Sequence, residues 1–486
     1  MREKHEKAPI YEALKKLIDD KTVPFDVPGH KRGKGSPMIQ EFLGENALQY
    51  DVNSSKTIDN ATHPTGVIRE AELLMADAFG ATDAFLMVNG TSSSVQAMIM
   101  AACTEGEKII MPRNAHKSAI NSLILSGALP VYINPGIDRM YGVSEGISVE
   151  DVRNTIEENT DAKAIFIINP TYYGICSNIS EIAKIAHEYG LLVLVDEAHG
   201  THLYFGEDDT TPKGGLQLGA DMCALSLHKT GGSLSQSSIL LVNNERISPR
   251  YVRSIINISQ TTSSSYLLLS SLDLARKQLV LSGKAMIRNA RELSYYARDA
   301  INKIGGYRVF DKDMINGDTV YDYDVTKLSI NVSNIGLSGF EMGDILRDEY
   351  KILIEYGDIC NFMCILSLGD TKENVDILID ALKDIKEKYA NDDKIEIVKA
   401  KFIAPQVWIS PREAFYARKM AVKFRESEGL VSGEFIMCYP PGIPVVAPGE
   451  IISAEAIEYI LYSKEKGSVI TGTEDLTNEF INILVY

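Results

Sequence analysis

Three short polar segments follow apolar runs in the chain, and their chemical groups complement one another. GTSSS (90–94) offers hydroxyls and the backbone amides of a helix start, VDEAHG (195–200) offers the carboxylate of Asp196, and SLHKT (226–230) offers the amine of Lys229. Helix-start amides bind phosphate, and a buried carboxylate needs a cationic partner. A lysine held away from water loses its proton more readily and becomes a nucleophile able to form a Schiff base.

Each segment taken alone has a more common interpretation. Ser and Thr are favoured helix caps, the acid can cap a helix, and a lysine at the end of a strand is usually solvated. GTSSS also lacks the lysine of the GxxxxGK[ST] phosphate loop. The order of the three segments along the chain, rather than any one of them, favours a shared site.

The elements that must position these groups alternate along residues 84–245. Apolar runs predicted as strands at 84–88, 108–111, 129–133, 163–169, 191–196, 222–227 and 238–242 are separated mostly by helical patterns. This alternation predicts an α/β fold with a mostly parallel sheet, whose ligands bind beyond the carboxyl ends of the strands. We expect a large domain over 1–300, a smaller α+β domain over 301–392 and a C-terminal domain over 393–486.

Composition narrows the class of protein. The 486 residues include 49 Lys and Arg against 66 Asp and Glu, a net charge of −17, which argues against a nucleic-acid partner. The sequence has no signal peptide and no apolar stretch of ~20 residues, so we expect a cytoplasmic protein that does not enter membranes. The six cysteines form no CxxC pair, which predicts neither disulfides nor a metal site.

Pyridoxal 5'-phosphate needs its phosphate anchored, its ring nitrogen kept protonated and its aldehyde bound to an amine. Thr91 and Ser92, with Gly90, would hold the phosphate, Asp196 the ring nitrogen and Lys229 the aldehyde. A shift of about three pKa units at the ring nitrogen would correspond to roughly 4 kcal/mol.

Three further side chains have possible places around this cofactor. His116, in PRNAHKS (112–118), can stack on the ring or simply start a helix. His228 can contact phosphate or substrate, and Ser226 can add a hydroxyl to the phosphate.

Along nearly its whole length the chain resembles the Orn/Lys/Arg decarboxylases of the aminotransferase-like pyridoxal-phosphate fold. The resemblance is carried, in order, by PGHKRG (28–33), HPTGVIREAE (63–72), NGTSSS (89–94), RNAHKS (113–118), VDEAHG, SLHKT and YPPGIPVVAPGE (439–450). It implies that Lys229 forms the Schiff base, that Asp196 contacts the pyridine nitrogen and that His116 stacks on the ring. It places Thr91, Ser92, Ser226 and His228 around the phosphate.

The resemblance also implies an assembly and a place in metabolism. The family's active site lies at a dimer interface, so TTSSSY (261–266) would reach the partner's cofactor. PGHKRG begins at residue 28, which leaves no room for the N-terminal wing of longer members, and a homodimer or tetramer of the short subgroup is expected. The family acts in polyamine biosynthesis.

Two residues depart from the family pattern. Ser264 stands where a proline is expected, and His199 stands where some longer members have tryptophan. Neither change removes a catalytic group. His199 would border the ring, where it can alter substrate fit or the response to pH, since histidine titrates near neutrality.

The predicted reaction is decarboxylation of a basic L-amino acid, with Lys229 or His228 as the proton donor to Cα. The substrate's side-chain cation would meet Glu434 or Glu450, with Tyr439 as a wall, although surface exposure is the more common state of a glutamate. His30 and Lys31 can also line the site or simply belong to a turn. The alternatives are an aminotransferase or lyase on the same cofactor, distinguished by CO2 release without a keto acid, and a catalytically silent regulatory homologue. The sequence does not choose among arginine, lysine and ornithine.

Overall fold

The computed structural model describes residues 3–206, 210–391, 405–439 and 442–485. Its helices are α1 (Pro9–Asp19), α2 (Pro37–Leu43), α3 (Glu45–Tyr50), α4 (Val67–Phe79), α5 (Gly90–Ala102), α6 (Lys117–Ser126), α7 (Val149–Glu158), α8 (Ile179–Glu188), α9 (Leu227–Thr230), α10 (Pro249–Ser259), α11 (Tyr266–Gln278), α12 (Lys284–Ile304), α13 (Gly339–Tyr350), α14 (Lys372–Tyr389), α15 (Pro411–Tyr416) and α16 (Ala454–Glu465).

Strands of the large sheet and its surroundings are β1 (Asp83–Met87), β2 (Lys108–Pro112), β3 (Leu129–Ile133), β4 (Ile137–Asp138), β5 (Val143–Ser144), β6 (Ala164–Ile168), β7 (Ile175–Cys176), β8 (Leu192–Glu197), β9 (Met222–Leu225) and β10 (Ser238–Val242). The later strands are β11 (Arg308–Val309), β12 (Asp322–Tyr323), β13 (Lys327–Asn331), β14 (Tyr356–Gly357), β15 (Asn361–Ile365), β16 (Gln406–Val407), β17 (Lys419–Lys423), β18 (Ile436–Tyr439), β19 (Ile443–Val446), β20 (Glu450–Ile451), β21 (Val469–Thr471) and β22 (Phe480–Leu484).

The main sheet has the strand order β1-β10-β9-β8-β6-β2-β3. β2 pairs in parallel with β3 and β6, and β8 pairs in parallel with β9. β10 is antiparallel to both of its neighbours, because the chain returns from β9 through residues 226–237 rather than through a long helical crossover. The predicted α/β fold with a mostly parallel sheet is confirmed.

All seven apolar runs predicted as strands form strands of this sheet. The run at 222–227 ends early, because Leu227 already belongs to α9. β9 and β10 are buried at every position, which agrees with their continuous apolar character.

By contacts the chain divides into two compact units. Residues up to Ala101 and Leu194–Ile287 form the first unit; Ala102–Val193 and the residues from Arg288 onward form the second. This division cuts across the predicted 1–300 domain, and the predicted boundaries at 300 and 392 stay predictions.

The second unit contains several smaller cores beside its share of the main sheet. The antiparallel sheet β11-β13-β15-β14 packs with α12, α13 and α14, and its core includes Phe362 and Leu382. Farther along the chain, β18, β19 and β21 pack with α16 around Ile436 and Ile460. Within the described ranges, every helix is too short or too polar to span a lipid bilayer.

Candidate active site

Buried hydroxyls gather at the start of α5 in the first unit. Thr91 Oγ1 contacts Ser226 Oγ, and it donates to Ser238 Oγ at 2.9 Å. Ser94 Oγ also lies 2.9 Å from Ser238 Oγ, whose own proton goes to the carbonyl of Leu225 at 2.7 Å. The cluster therefore joins the first turn of α5 to the end of β9 and the start of β10.

Beside this cluster, the first turn of α5 offers backbone donors. Gly90 adopts a φ of +78°, and its amide donates to Gln236 O at 2.8 Å. The next amides, those of Thr91 and Ser92, have no acceptor within the helix, as at any helix start. Ser92 is exposed, whereas Thr91 is buried. Amides and hydroxyls at one helix start can bind an anionic group such as phosphate.

Lys229 lies in α9, the single helical turn that follows β9. Its side chain is half-buried, and Nζ lies 2.8 Å from Nε2 of His199. Two nitrogens at that distance share one proton, so either an ammonium donates to a neutral ring or the ring donates to a neutral amine. The contact therefore gives Lys229 a partner that can take up or return its proton.

His228 points its Nδ1 at the carbonyl of Ser237, 2.8 Å away. Because a carbonyl only accepts, Nδ1 carries the proton, and Nε2 is the acceptor nitrogen of the neutral ring.

Asp196 lies near the carboxyl end of β8 and is 6% exposed. Among the described residues, the only hydrogen bond to its carboxylate comes from the amide of Ala198, at 3.0 Å. Burial raises the pKa of Asp196, and that amide and the charge of Lys229 oppose the shift. A buried carboxylate with so little support favours a cationic ligand.

Glu197, the next residue, has a different environment. Its carboxylate accepts from the amide of Gly215 at 2.7 Å and from the hydroxyl of Tyr204. Burial raises the pKa of Glu197 to about 7, against the hydrogen bonds from Tyr204 and Gly215. No role for Glu197 was predicted from the sequence. Side chains alternate along a strand, so Glu197 and the neighbouring Asp196 point to opposite faces, and this alternation is the signal that distinguishes them.

His116 is the N-cap of α6, in the second unit. Its Nδ1 accepts from the amide of Ser118 at 3.2 Å and lies 2.9 Å from the hydroxyl of the same residue. The neutral ring therefore carries its proton on Nε2. His116 therefore starts a helix, as one of its two interpretations predicted. Its stacking on a cofactor ring stays a prediction.

Glu450 is buried and forms an ion pair that the sequence analysis missed. Its Oε2 lies 2.8 Å from Nη2 of Arg113 and accepts from the amide of Ala447 at 2.8 Å. Arg113 is 3% exposed and immediately follows β2. The motif PRNAHKS displays this arginine, but no local pattern connects it to an acid so far along the chain.

The other predicted substrate residues have local partners. Glu434 accepts from the amides of Glu474 and Asn482, at 2.9 and 2.8 Å. The side chain of Tyr439 lies outside the described part of the chain.

In the first unit, His30 Nε2 lies 3.0 Å from Asp51 Oδ2. Lys31 Nζ donates to the carbonyl of Asp26. Contact of His30, Lys31 or the three C-terminal residues with a substrate stays a prediction.

The α/β fold, with a lysine, a carboxylate and a hydroxyl cluster at the ends of its strands, is similar to the fold of aminotransferases. Alanine–glyoxylate aminotransferase from Nostoc sp. shares this fold at a TM-score of 0.54, with 14% identity over 67% of this chain and 88% of that chain.

The family is defined by matches over most of the sequence. Residues 8–374 match the Orn/Lys/Arg decarboxylase major domain, and residues 397–476 match the Orn/Lys/Arg decarboxylase C-terminal domain. The chain belongs to the Orn/Lys/Arg decarboxylase family, which confirms the predicted resemblance and the prediction of an amino-acid decarboxylase.

Individual relatives match almost end to end. The chain is 42% identical over 484 residues to arginine decarboxylase of Halalkalibacterium halodurans, covering 99% of this chain and 98% of the relative. It is 40% identical over 479 residues to arginine decarboxylase of Bacillus anthracis, covering 98% and 97%. The solved lysine decarboxylase LdcF of Francisella novicida superposes at a TM-score of 0.84 with 21% identity, covering 98% of this chain and 81% of that one.

Proposed function

We propose that this protein decarboxylates L-arginine to the corresponding amine and CO2 with pyridoxal 5'-phosphate bound at Lys229. The observation that carries the proposal is made where the neighbouring strands β8 and β9 end. Asp196 is buried there and has no cationic hydrogen-bond partner among the described residues, and the amine of Lys229 follows β9. Arginine, rather than lysine or ornithine, is supported by the arginine decarboxylases that match almost the whole chain at 40–42% identity.

The residues present fit this cofactor. Asp196 offers a buried carboxylate for a protonated ring nitrogen, and burial raises the pKa of this carboxyl. Gly90 has open space where a Cβ would lie, next to the hydroxyl of Thr91. Thr91, Ser92, Ser226 and His228 would surround the phosphate, and His116 would cover a face of the ring.

When bound, pyridoxal phosphate supplies an aldehyde for the amino group and a protonated ring that accepts the electron pair left by the departing carboxylate. A cation beside Asp196 stabilises its negative charge, so the carboxylate favours the protonated ring. Lys229 can exchange a proton with His199, 2.8 Å away, and is one candidate donor to the substrate Cα, with His228 as the other.

The substrate's guanidinium would require a carboxylate that accepts two parallel hydrogen bonds. Glu434 and Glu450 remain candidates, with Tyr439 as a wall and His30 and Lys31 as further contacts. Because Glu450 is already paired with Arg113, a structural role for Glu450 is favoured over contact with the substrate.

Self-association is part of the proposal, as a homodimer or tetramer with the active site at the dimer interface. Within TTSSSY, Ser265 caps α11, and the hydroxyl of Tyr266 donates to the carbonyl of Asp59 at 2.7 Å. These contacts fix the segment that would reach the partner. Ser264, at the position of the expected proline, is buried in it.

The test begins with the purified protein and a mixture of arginine, lysine and ornithine. We expect CO2 and the amine derived from arginine, without any keto acid. Borohydride reduction followed by digestion and mass measurement should label the peptide that contains Lys229. Lys229→Ala should lose the label and at least about 10³-fold in turnover, whereas Lys213→Ala, at an exposed lysine, should keep both.

Turnover retained by Lys229→Ala, or a label on another peptide, would contradict the assignment of the lysine. An amine derived from lysine or ornithine instead would contradict the substrate.

A further inference from the structure

The C-terminal segment 442–450 binds directly to the loop that carries His116. Arg113 Nη1 donates to the carbonyl of Pro444 at 2.7 Å, and Nη2 donates to the carbonyl of Val445 at 3.3 Å and to Glu450 Oε2 at 2.8 Å. The amide of Lys117 donates to the carbonyl of Gly442 at 3.2 Å. Contacts to segment 442–450 thus lie on both sides of His116 in the sequence.

The ion pair between Arg113 and Glu450 is buried, so it is stable only in a narrow range of geometries. Arg113 and Glu450 are each 3% exposed, and the guanidinium carbon of Arg113 lies 5.6 Å from the ring centroid of Tyr132. Two charges out of water remain stable only when they face each other and keep their hydrogen bonds. The amide of Ala447 supplies another donor to Glu450 Oε2, so the turn at 447–450 is folded around the carboxylate that faces the arginine.

α6 is also held at its other end by the C-terminal region. Arg412, in α15, donates to the carbonyls of Ile124 and Leu125 at 3.2 and 2.9 Å. His116 caps the first turn of this helix, so the position of its ring follows the position of the helix start. Segment 442–450 acts at that start, and Arg412 acts about two turns away.

We propose that Arg113 and Glu450 are positioning residues: they hold segment 442–450 against the start of α6 and so fix His116, the residue proposed to cover the cofactor ring. This inference rests on the proposed function, because it gives His116 a cofactor to cover. It assigns Glu450 to Arg113 rather than to the substrate cation. It also gives the C-terminal domain a task that the aminotransferase-like fold by itself does not supply.

The first measurement uses the full-length protein without cofactor. Hydrogen–deuterium exchange should show the Lys117 amide exchanging about tenfold faster in Arg113→Met and in Glu450→Gln, because its acceptor at Gly442 is no longer held. Arg412→Met is the matched control, since it removes an arginine that binds backbone carbonyls on the same helix. It should speed exchange near Leu125 and leave Lys117 unchanged.

The second measurement uses the protein loaded with pyridoxal phosphate. The circular dichroism of the bound cofactor reports the orientation of its ring in a chiral site. We expect Arg113→Met and Glu450→Gln to reduce that band and to weaken cofactor binding by about tenfold, the loss of roughly one charge-assisted hydrogen bond. Arg412→Met should retain the wild-type band.

The outcomes separate this inference from the proposed function. Normal exchange at Lys117 in folded Arg113→Met, or faster exchange with an unchanged cofactor band, would overturn the positioning role. If Arg113→Met does not fold, Glu450→Gln takes its place: normal exchange at Lys117, or an unchanged cofactor band, in Glu450→Gln relative to Arg412→Met would overturn the positioning role. A wild-type protein that binds no pyridoxal phosphate would overturn the proposed function. The exchange measurement would then test only whether Arg113 and Glu450 hold segment 442–450 against the start of α6.

Discussion

Two carboxylates of this protein are almost equally buried and yet have opposite surroundings. Asp196, in the first unit, is 6% exposed, and Glu450, in the second, is 3% exposed. Glu450 faces the guanidinium of Arg113 at 2.8 Å, whereas the only hydrogen bond to Asp196 among the described residues comes from a backbone amide. The protein gives Glu450 a hydrogen-bonded cation but gives Asp196 only a backbone amide, which agrees with the proposed role of Asp196 toward a cationic ligand.

The difference has an energetic meaning. A buried charge costs free energy unless a partner compensates it. For Glu450 that compensation is part of the fold, so its removal should appear mainly as lost stability. Under the proposed function the compensation for Asp196 arrives with the cofactor, so removal of Asp196 should appear mainly as lost activity.

The largest expected effect is on turnover at Asp196. Asp196→Asn should reduce decarboxylation about 10³-fold, because the ring nitrogen loses the charge that keeps it protonated, an effect of roughly 4 kcal/mol. Steady-state CO2 release, with the bound cofactor quantified by absorbance, measures this. Full turnover at normal cofactor content would remove Asp196 from the mechanism.

The same variant should behave differently without cofactor. Burial raises the pKa of Asp196, so the folded state favours the protonated carboxyl and loses stability as the pH rises through that pKa. Cofactor-free Asp196→Asn should therefore be at least as stable as the wild type at pH 8. A lower melting temperature would show that the carboxylate supports the fold, and the contrast with Glu450 would fail.

The next effect is on stability at Glu450. Glu450→Leu should destabilise the protein by about 3 kcal/mol, near the lower end for a broken buried ion pair, because Arg113 keeps its carbonyl partners at Pro444 and Val445. Urea unfolding of the cofactor-free protein measures the loss. Adding Arg113→Met should recover part of it, since the uncompensated guanidinium is then gone. Additive losses in the double variant would mean that the two residues are not coupled.

The smallest effect concerns Glu197, a third buried carboxylate. Burial raises its pKa from 4.5 to about 7, so the folded state binds more protons than the unfolded state between these values, and stability falls as the pH rises through that window. Glu197→Gln should flatten the pH dependence of the melting temperature by about a few degrees between pH 5 and 8. Glu387→Gln, at an exposed position, is the control, and an unchanged slope in Glu197→Gln would place the titration elsewhere.

Much of the fold was predictable because its signals are local. The run SILLV at 238–242 forms a fully buried strand over the predicted residues, since a buried strand needs a continuous apolar stretch, and the run LPVYI at 129–133 forms a partly exposed strand over its predicted residues. The antiparallel direction of β10 was not predicted, because strand direction depends on the path of the connection rather than on composition. Glu197 shows a similar limit, since its motif does not reveal that Tyr204 and Gly215 occupy its carboxylate.

The sequence by itself determined which chemical groups stand at the ends of the strands. Asp196 and Lys229 follow apolar runs, and the carboxyl ends of such runs form the ligand-binding edge of a parallel sheet. Only the tertiary structure decided that Arg113 meets Glu450, 337 residues farther along the chain, and that His199 lies 2.8 Å from Lys229. Charges and hydrogen bonds act over a few ångströms in space, so their partners are fixed when the chain folds and not by their distance in sequence.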